Sequence, residues 1–139
     1  MKRFSHFLWA TLALFVLGCG PGGPSRYEVN GTVTYQDKPV ETGAVQFIPD
    51  STTDGPMCGA NIENGRFHID RSGGPLLGNY RISISATRKT GKKQRALMSG
   101  KEVDEYVDLG LPPKYTGGTS ELRAKITADG PNEFAFDLK

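Results

Sequence analysis

The feature that most constrains the fold of this chain is an alternation of apolar and polar residues along short segments. Four segments show it most clearly, at residues 27–35, 80–87, 122–127 and 133–138. A period of two places one apolar row on one face of a β-strand, as in a half-buried antiparallel sheet. Shorter segments of the same character lie at residues 44–48, 58–63 and 66–69. The alternation therefore predicts seven strands.

Turn sequences separate these segments, and no helical period appears after residue 26. Asn64-Gly65 is the strongest short hairpin signal, and "QDKPVETG", "SGGPLLGN" and "ADGPN" divide other segments. Seven strands with one apolar face each must bury those faces against one another, which two packed antiparallel sheets achieve. The sequence thus predicts an all-β, seven-stranded β-sandwich. Its predicted core residues are Val33, Phe47, Ile82, Ile84, Ile126, Phe134 and Phe136.

The N-terminus carries the marks of an export signal. Lys2 and Arg3 precede an apolar run of 12 residues from Phe7 to Gly18. A membrane-spanning helix needs about 20 such residues, whereas the apolar region of a signal peptide needs about 7–15. The basic flank and the Gly/Pro-rich stretch that follows also disfavour the alternative, a buried helix of the folded domain. Residues 1–18 are therefore predicted to be a signal peptide.

The apolar run ends in "VLGC", which resembles the lipobox of bacterial lipoproteins. The resemblance implies that Cys19 is acylated and that the chain is cut directly before it. Two or more acyl chains anchor a protein stably, where one chain is marginal. Residues 19–26, which include "GPGGPS", then form a flexible tether. We expect an exported domain that is held at the cell envelope by a lipid anchor at Cys19.

Composition restricts what the remaining chain can bind. Without residues 1–18 the chain has 121 residues, which suits a single domain, with 15 basic and 15 acidic side chains. A neutral domain gives no support for nucleic-acid binding. With Cys19 acylated, Cys58 has no intramolecular partner, so we expect a small buried thiol and no disulfide.

The segment of about 88–118 departs from the alternating pattern and is predicted to be a long charged loop. A basic stretch is followed by the acidic stretch "KEVDEYVD" and then by "LGLPPKYTGGTS". Loops on a rigid scaffold often hold binding residues. The candidate contact residues are Arg88, Lys89, Lys92, Lys93, Arg95, Tyr106 and Tyr115. For Tyr115 the preferred alternative is a plug that packs on the edge of the sandwich.

Several stretches together resemble a known family. They are "VNGTVTYQDKPVETGAVQFIP", "IENGRFHI", "GNYRISISA" and "LPPKYTGGTSEL", followed by "EFAFDL". They are similar to small bacterial lipoproteins that have a carboxypeptidase-regulatory-like, transthyretin-like domain. The resemblance spans nearly all of residues 27–139 and implies a single seven-stranded Greek-key β-sandwich. It implies no peptidase activity, because this domain is an accessory in carboxypeptidases.

Two interpretations of function follow. The favoured one is a non-enzymatic, lipid-anchored structural or binding module of the cell envelope, with no cofactor and with an envelope protein or polysaccharide as partner. The alternative is a small hydrolase or a calcium-dependent activity that uses Asp50, Asp54 or His68. "DSTTDG" holds oxygen ligands suited to calcium but lacks EF-hand spacing, and His68 is expected to be a solvent-facing strand residue. Catalysis would require at least three suitable polar groups in one concave pocket.

Overall fold

A computed structural model of the protein describes residues 23–139, so the predicted signal peptide and Cys19 lie outside the described residues. The described chain is all-β, with two short 3₁₀ turns at Pro113–Tyr115 and Gly117–Thr119. The strands are β1 (Val29–Tyr35), β2 (Lys38–Pro39), β3 (Thr42–Pro49), β4 (Cys58–Glu63), β5 (Arg66–Ile69), β6 (Gly78–Arg95), β7 (Glu102–Asp108), β8 (Arg123–Ile126) and β9 (Glu133–Leu138). Within residues 23–139 there is no helix of the length and apolar character needed to cross a bilayer.

All nine strands are connected by hydrogen bonding in the order β2-β1-β5-β4-β3-β6-β7, with β8 paired to β6 and β9 paired to β1. One part contains β1, β2, β5 and β9, and the other contains β3, β4, β6, β7 and β8. A single residue pair, Glu63 with Arg66, joins the parts across the β4–β5 hairpin. The predicted Asn64-Gly65 turn forms this hairpin, and both residues have positive φ angles, of 51° and 75°.

The core lies where the apolar rows of the two parts meet. The ring of Phe47 on β3 packs against Phe67 on β5, with centroids 6.2 Å apart, and against Tyr80 on β6 at 6.1 Å. Six of the seven predicted core residues are buried. The seventh, Phe134, is only partly buried and packs against the core, so it lies at the edge of the core and not inside it as predicted.

The predicted arrangement of strands needs two corrections. The structure has nine strands where seven were predicted, because β2 and β7 were not anticipated. The prediction of a purely antiparallel sheet is also wrong, because β1 and β9 run parallel from Asn30↔Glu133 to Tyr35↔Leu138. A hydrophobic period indicates which face of a strand is buried but carries no information about the direction of its neighbour.

The predicted loop of about 88–118 is largely ordered secondary structure. Its first part, from Arg88 to Arg95, continues β6, and the acidic stretch forms β7, so the two stretches make an antiparallel hairpin. Its last part contains the two 3₁₀ turns and returns to β8. Charged residues occupy both strands of this two-stranded ribbon, in which neither face needs to be apolar.

Candidate functional site

The hairpin arm, residues 88–108, is the most distinctive surface of the described chain. Up to Thr87, β6 pairs with β3, but from Arg88 to Arg95 it pairs with β7 alone. Eight residues at about 3.3 Å each give the arm a length of about 26 Å. Five predicted contact residues, Arg88, Lys89, Lys92, Lys93 and Arg95, lie on its first strand, and Tyr106 lies on its second.

One face of the arm carries a cross-strand charge cluster. The Nζ atom of Lys89 lies 2.8 Å from Oδ2 of Asp104 and 5.7 Å from the ring centroid of Tyr106. Lys93 adds a longer contact of 3.9 Å to the same carboxylate. The hydrogen bond and charge of Lys89 lower the pKa of Asp104, and the same bond raises the pKa of Lys89. These contacts join two strands that have no core beneath them.

An irregularity in the arm gives β6 extra residues between Lys89 and Lys93. Gly91 has a φ angle of 80° there, a conformation that glycine adopts readily. The hydroxyl of Thr90 donates to Oε2 of Glu105 at 2.5 Å and fastens the bulge to β7. The bulge is therefore held in place by side chains from both strands.

The arm ends in an exposed apolar tip, formed by Leu97 and Met98. The turn closes through hydrogen bonds of 2.8 Å from the Ala96 amide to the Lys101 carbonyl and from the Gly100 amide to the Ala96 carbonyl. The relative accessibilities of Leu97 and Met98 are 103% and 102%, so both side chains extend fully into solvent. Four cationic residues lie within six positions of this pair along the chain, Lys92, Lys93, Arg95 and Lys101, and Glu102 is the cross-strand partner of Arg95.

Sequence reasoning missed this tip. The signal was present in "RALMSGK", two adjacent apolar residues in a short turn between a basic and an acidic stretch. Without the hairpin pairing, however, nothing in the sequence distinguishes an exposed Leu-Met pair from one that is folded onto the core.

Tyr115 does not belong to the arm. It is buried, and its hydroxyl donates to the carbonyl of Lys139 at 3.2 Å, which confirms the plug interpretation. The surrounding turns are fixed to β6, because the Gly117 amide donates to the Ser83 hydroxyl at 2.7 Å and the Ser120 hydroxyl donates to the Ile82 carbonyl at 2.5 Å. As a contact residue Tyr115 is therefore a wrong prediction, since its ring is covered.

A second surface is the polar sheet face, a shallow open depression of about 960 Å³. Its lining includes the polar residues Asn30, Thr32, Asn61, Glu63, Arg66, His68 and Glu133. His68 is exposed, as predicted for a solvent-facing strand residue. Its Nδ1 atom lies 2.7 Å from Oδ1 of Asn30 and 3.7 Å from Oε1 of Glu28. Since an amide oxygen only accepts, Nδ1 of His68 donates the hydrogen in this contact with Asn30.

The aspartates proposed for calcium or catalysis lie elsewhere. Oδ1 of Asp50 accepts hydrogen bonds from Thr52 and Thr53, and the bonds from Thr52 lower the pKa of Asp50 most. Asp54 is exposed, and neither aspartate lines the polar sheet face with His68. Among residues 23–139, no group of three or more His, Cys, Asp or Glu side chains is placed to hold a metal ion.

Cys58, at the start of β4, is a free thiol that is partly exposed, so the prediction of a fully buried residue is wrong. Its partial burial raises the pKa of the thiol to about 11. A thiol of this pKa is almost entirely protonated near neutral pH, which makes it a poor nucleophile.

Comparisons with protein-family models, with curated proteins and with solved structures each found no match.

Proposed function

We propose that the protein is a non-enzymatic, lipid-anchored binding module of the cell envelope. The chain is cut before Cys19, which is acylated, and residues 19–26 tether the domain to the bilayer. The domain is a Greek-key β-sandwich of the transthyretin-like kind, and the hairpin arm is its contact surface for an envelope component. The proposal needs no cofactor and gives no role to nucleic acid.

The observation that carries the proposal is the hairpin arm itself. It extends beyond the packed strands, and its two fully exposed apolar side chains occupy the most accessible position on it. Exposed apolar side chains rimmed by charge are typical of contact surfaces. The side-chain contacts of Asp104 with Lys89 and Lys93 join the two strands of the arm between the core and the tip.

The hydrolase or calcium alternative has less support. Of its three candidate residues only His68 lines the polar sheet face. The hydrogen bond from His68 to Asn30 orients the imidazole, which is the one feature that favours this alternative. The hydrogen bonds that Asp50 accepts from Thr52 and Thr53 occur in a local turn, and such bonds are a common structural motif of aspartate turns.

The anchor is tested by the Cys19→Ser variant, expressed in a bacterium and labelled with a radioactive fatty acid. We expect label on the wild-type protein and none on the variant. We also expect the variant to leave the membrane fraction in a carbonate wash. Full membrane retention of the unlabelled variant would contradict the lipid anchor.

The arm is tested with the processed chain, residues 19–139, in which Cys19→Ser removes the acyl acceptor. This chain includes every buried apolar residue of the described core. In a shortened variant, Asn-Gly replaces residues 90–105, because Lys89 and Tyr106 are cross-strand partners that a two-residue turn can join. We expect the unshortened chain to sediment with isolated cell envelopes and the shortened chain to stay in solution while remaining folded. Equal sedimentation of both chains would place the contact elsewhere.

A further inference from the structure

The tip of the hairpin arm combines two chemical features on one convex surface. Leu97 and Met98 are fully exposed and adjacent. Lys92, Lys93, Arg95 and Lys101 lie within six residues of one or both of them, and the nearest acidic side chain along the chain is Glu102. Glu102 pairs with Arg95 across the arm, so cations are in excess near the apolar pair. Apolar side chains with neighbouring excess cations are the combination by which surface segments bind anionic lipid headgroups and the acyl layer beneath them.

A protein partner is a poorer match for the same tip. The residues that dominate protein–protein interfaces are mainly Trp, Tyr and Arg in well-packed pockets, and Leu is under-represented among them. Tyr106 is the only aromatic residue of the arm, and its ring lies beside Lys89. A bilayer requires no shape complementarity, so a two-residue apolar projection is sufficient to engage it.

The position of the tether supports an attachment at a second point of the same molecule. The chain enters the domain where Arg26 donates to the Gly74 carbonyl at 2.8 Å and the Tyr27 amide donates to the Pro75 carbonyl at 2.9 Å. β6 begins three residues later, at Gly78, and ends at the arm tip. Its 18 residues at about 3.3 Å each span about 60 Å. The tether and the tip therefore lie near opposite ends of the long strand.

We propose that the hairpin arm is a second membrane attachment, which inserts Leu97 and Met98 into the anionic bilayer that holds the acyl chains of Cys19. This inference rests on the proposed function, since it names the component that the arm contacts. The eight-residue tether reaches about 28 Å at about 3.5 Å per residue, so the domain can lie with its long strand along the bilayer. The acyl anchor keeps the tip within reach of this bilayer, so the second contact forms at high effective concentration.

Insertion is tested by placing a tryptophan at the tip. Met98→Trp gives a processed chain with one indole, because the only natural tryptophan, Trp9, lies in the signal peptide that is removed before Cys19. The acylated protein is reconstituted in phosphatidylcholine vesicles that contain one quarter phosphatidylglycerol and doxyl-labelled lipid. We expect a blue-shifted emission that the doxyl lipid quenches. An emission that stays red and unquenched would overturn the inference. Met57→Trp, at an exposed methionine outside the arm, is the matched control and is expected to stay unquenched.

Binding without the anchor separates this inference from the proposed function. The processed Cys19→Ser chain is mixed with the same vesicles without doxyl lipid and with pure phosphatidylcholine vesicles. We expect the parent chain to partition into the anionic vesicles and to bind neutral vesicles only weakly. In a Leu97→Ser, Met98→Ser variant, the partition coefficient for anionic vesicles should fall about tenfold or more. Met57→Ser is expected to bind like the parent chain.

Two outcomes of these binding experiments would also overturn the inference. Arm-dependent sedimentation with cell envelopes and no binding to pure lipid vesicles would mean that the arm contacts another envelope component, and the proposed function would stand. Equal vesicle binding by the parent and the Leu97→Ser, Met98→Ser variant would mean that another surface attaches to lipid. Absence of arm-dependent binding to envelopes would instead contradict the proposed function.

Discussion

The side chain of Tyr115 bonds to both backbone groups of Lys139. Its hydroxyl donates to the Lys139 carbonyl at 3.2 Å and accepts from the Lys139 amide at 3.0 Å. The hydrogen bond that the phenol oxygen accepts from the Lys139 amide lowers the pKa of Tyr115 most, because it stabilises the phenolate. Because Lys139 directly follows β9 and Tyr115 lies in the segment fixed to β6, this pair connects the two parts of the sheet.

Removing the hydroxyl should therefore loosen the end of β9. We expect Tyr115→Phe to speed the hydrogen exchange of the Lys139 amide about tenfold, as loss of a hydrogen bond of ordinary strength would do. Exchange measured by NMR checks this. Tyr106→Phe, in the hairpin arm, is the control and should leave Lys139 unchanged. Unaltered exchange in Tyr115→Phe would show that β9 is held without this contact.

Gly31 on β1 lies directly against the ring of Phe67. A Cβ atom at this position would clash with the ring of Phe67 and with the carbonyl of Phe134. We expect Gly31→Ala to cost about 1–3 kcal/mol of unfolding free energy, the usual range for overpacking. Gly73→Ala is the control, since a Cβ there would meet nothing within 4 Å. Urea unfolding of both variants checks the difference, and equal stabilities would contradict it.

Phe136 and Phe134 allow a comparison within one strand. Their rings stack with centroids 6.1 Å apart, but Phe136 is buried and Phe134 is only partly buried. We expect Phe136→Ala to lower the unfolding free energy by about 3–5 kcal/mol. Phe134→Ala should lower it by about half as much, because part of its ring is already hydrated. Denaturant titration measures the unfolding free energy of both variants. A larger loss in Phe134→Ala than in Phe136→Ala would show that the partly buried ring contributes more to stability.

The strand predictions were accurate where a strand buries one face, because an alternating pattern indicates only that kind of strand. It identifies strands that bury one face, and all seven predicted strands are present with core residues such as Val33 and Ile82 buried. It misses β7 and the far half of β6, because a two-stranded arm has solvent on both faces and needs no apolar row. The exposed tip at Leu97 was also missed, because its exposure depends on the hairpin pairing of the arm, which the sequence pattern does not indicate.

The thiol of Cys58 should react slowly with alkylating reagents in the folded protein. Its pKa of about 11, raised by burial, is about two units above the ordinary value, so near pH 8 the folded protein has about a hundredth of the thiolate of the unfolded chain. We expect iodoacetamide to alkylate Cys58 in the folded processed Cys19→Ser chain about one hundred times more slowly than in urea. Mass spectrometry over time measures both rates. Similar rates would show that the thiol is not shielded in the fold.

The order of the hairpin arm should depend on pH through Asp104. Its pKa is lowered in the folded arm by the Lys89 hydrogen bond, so its stabilising contribution is present above the ordinary carboxyl pKa and is lost as pH falls through the lowered value. Lys89 has a raised pKa and contributes below the ordinary lysine pKa, so it remains charged throughout this acid range.

We therefore expect cross-strand nuclear Overhauser contacts between Gln94 and Val103, which are paired in the arm, to persist at pH 6 and to weaken as pH falls below about 4. Asp104→Asn should weaken them already at pH 6, because the amide keeps the shape but loses the charge that attracts Lys89. Contacts between Val45 and Ile84, which are paired strand residues of the core, serve as the control and should be unaffected. An arm that keeps its cross-strand contacts in Asp104→Asn and at low pH would mean that backbone pairing and the Thr90–Glu105 bond hold it without the Asp104 ion pair.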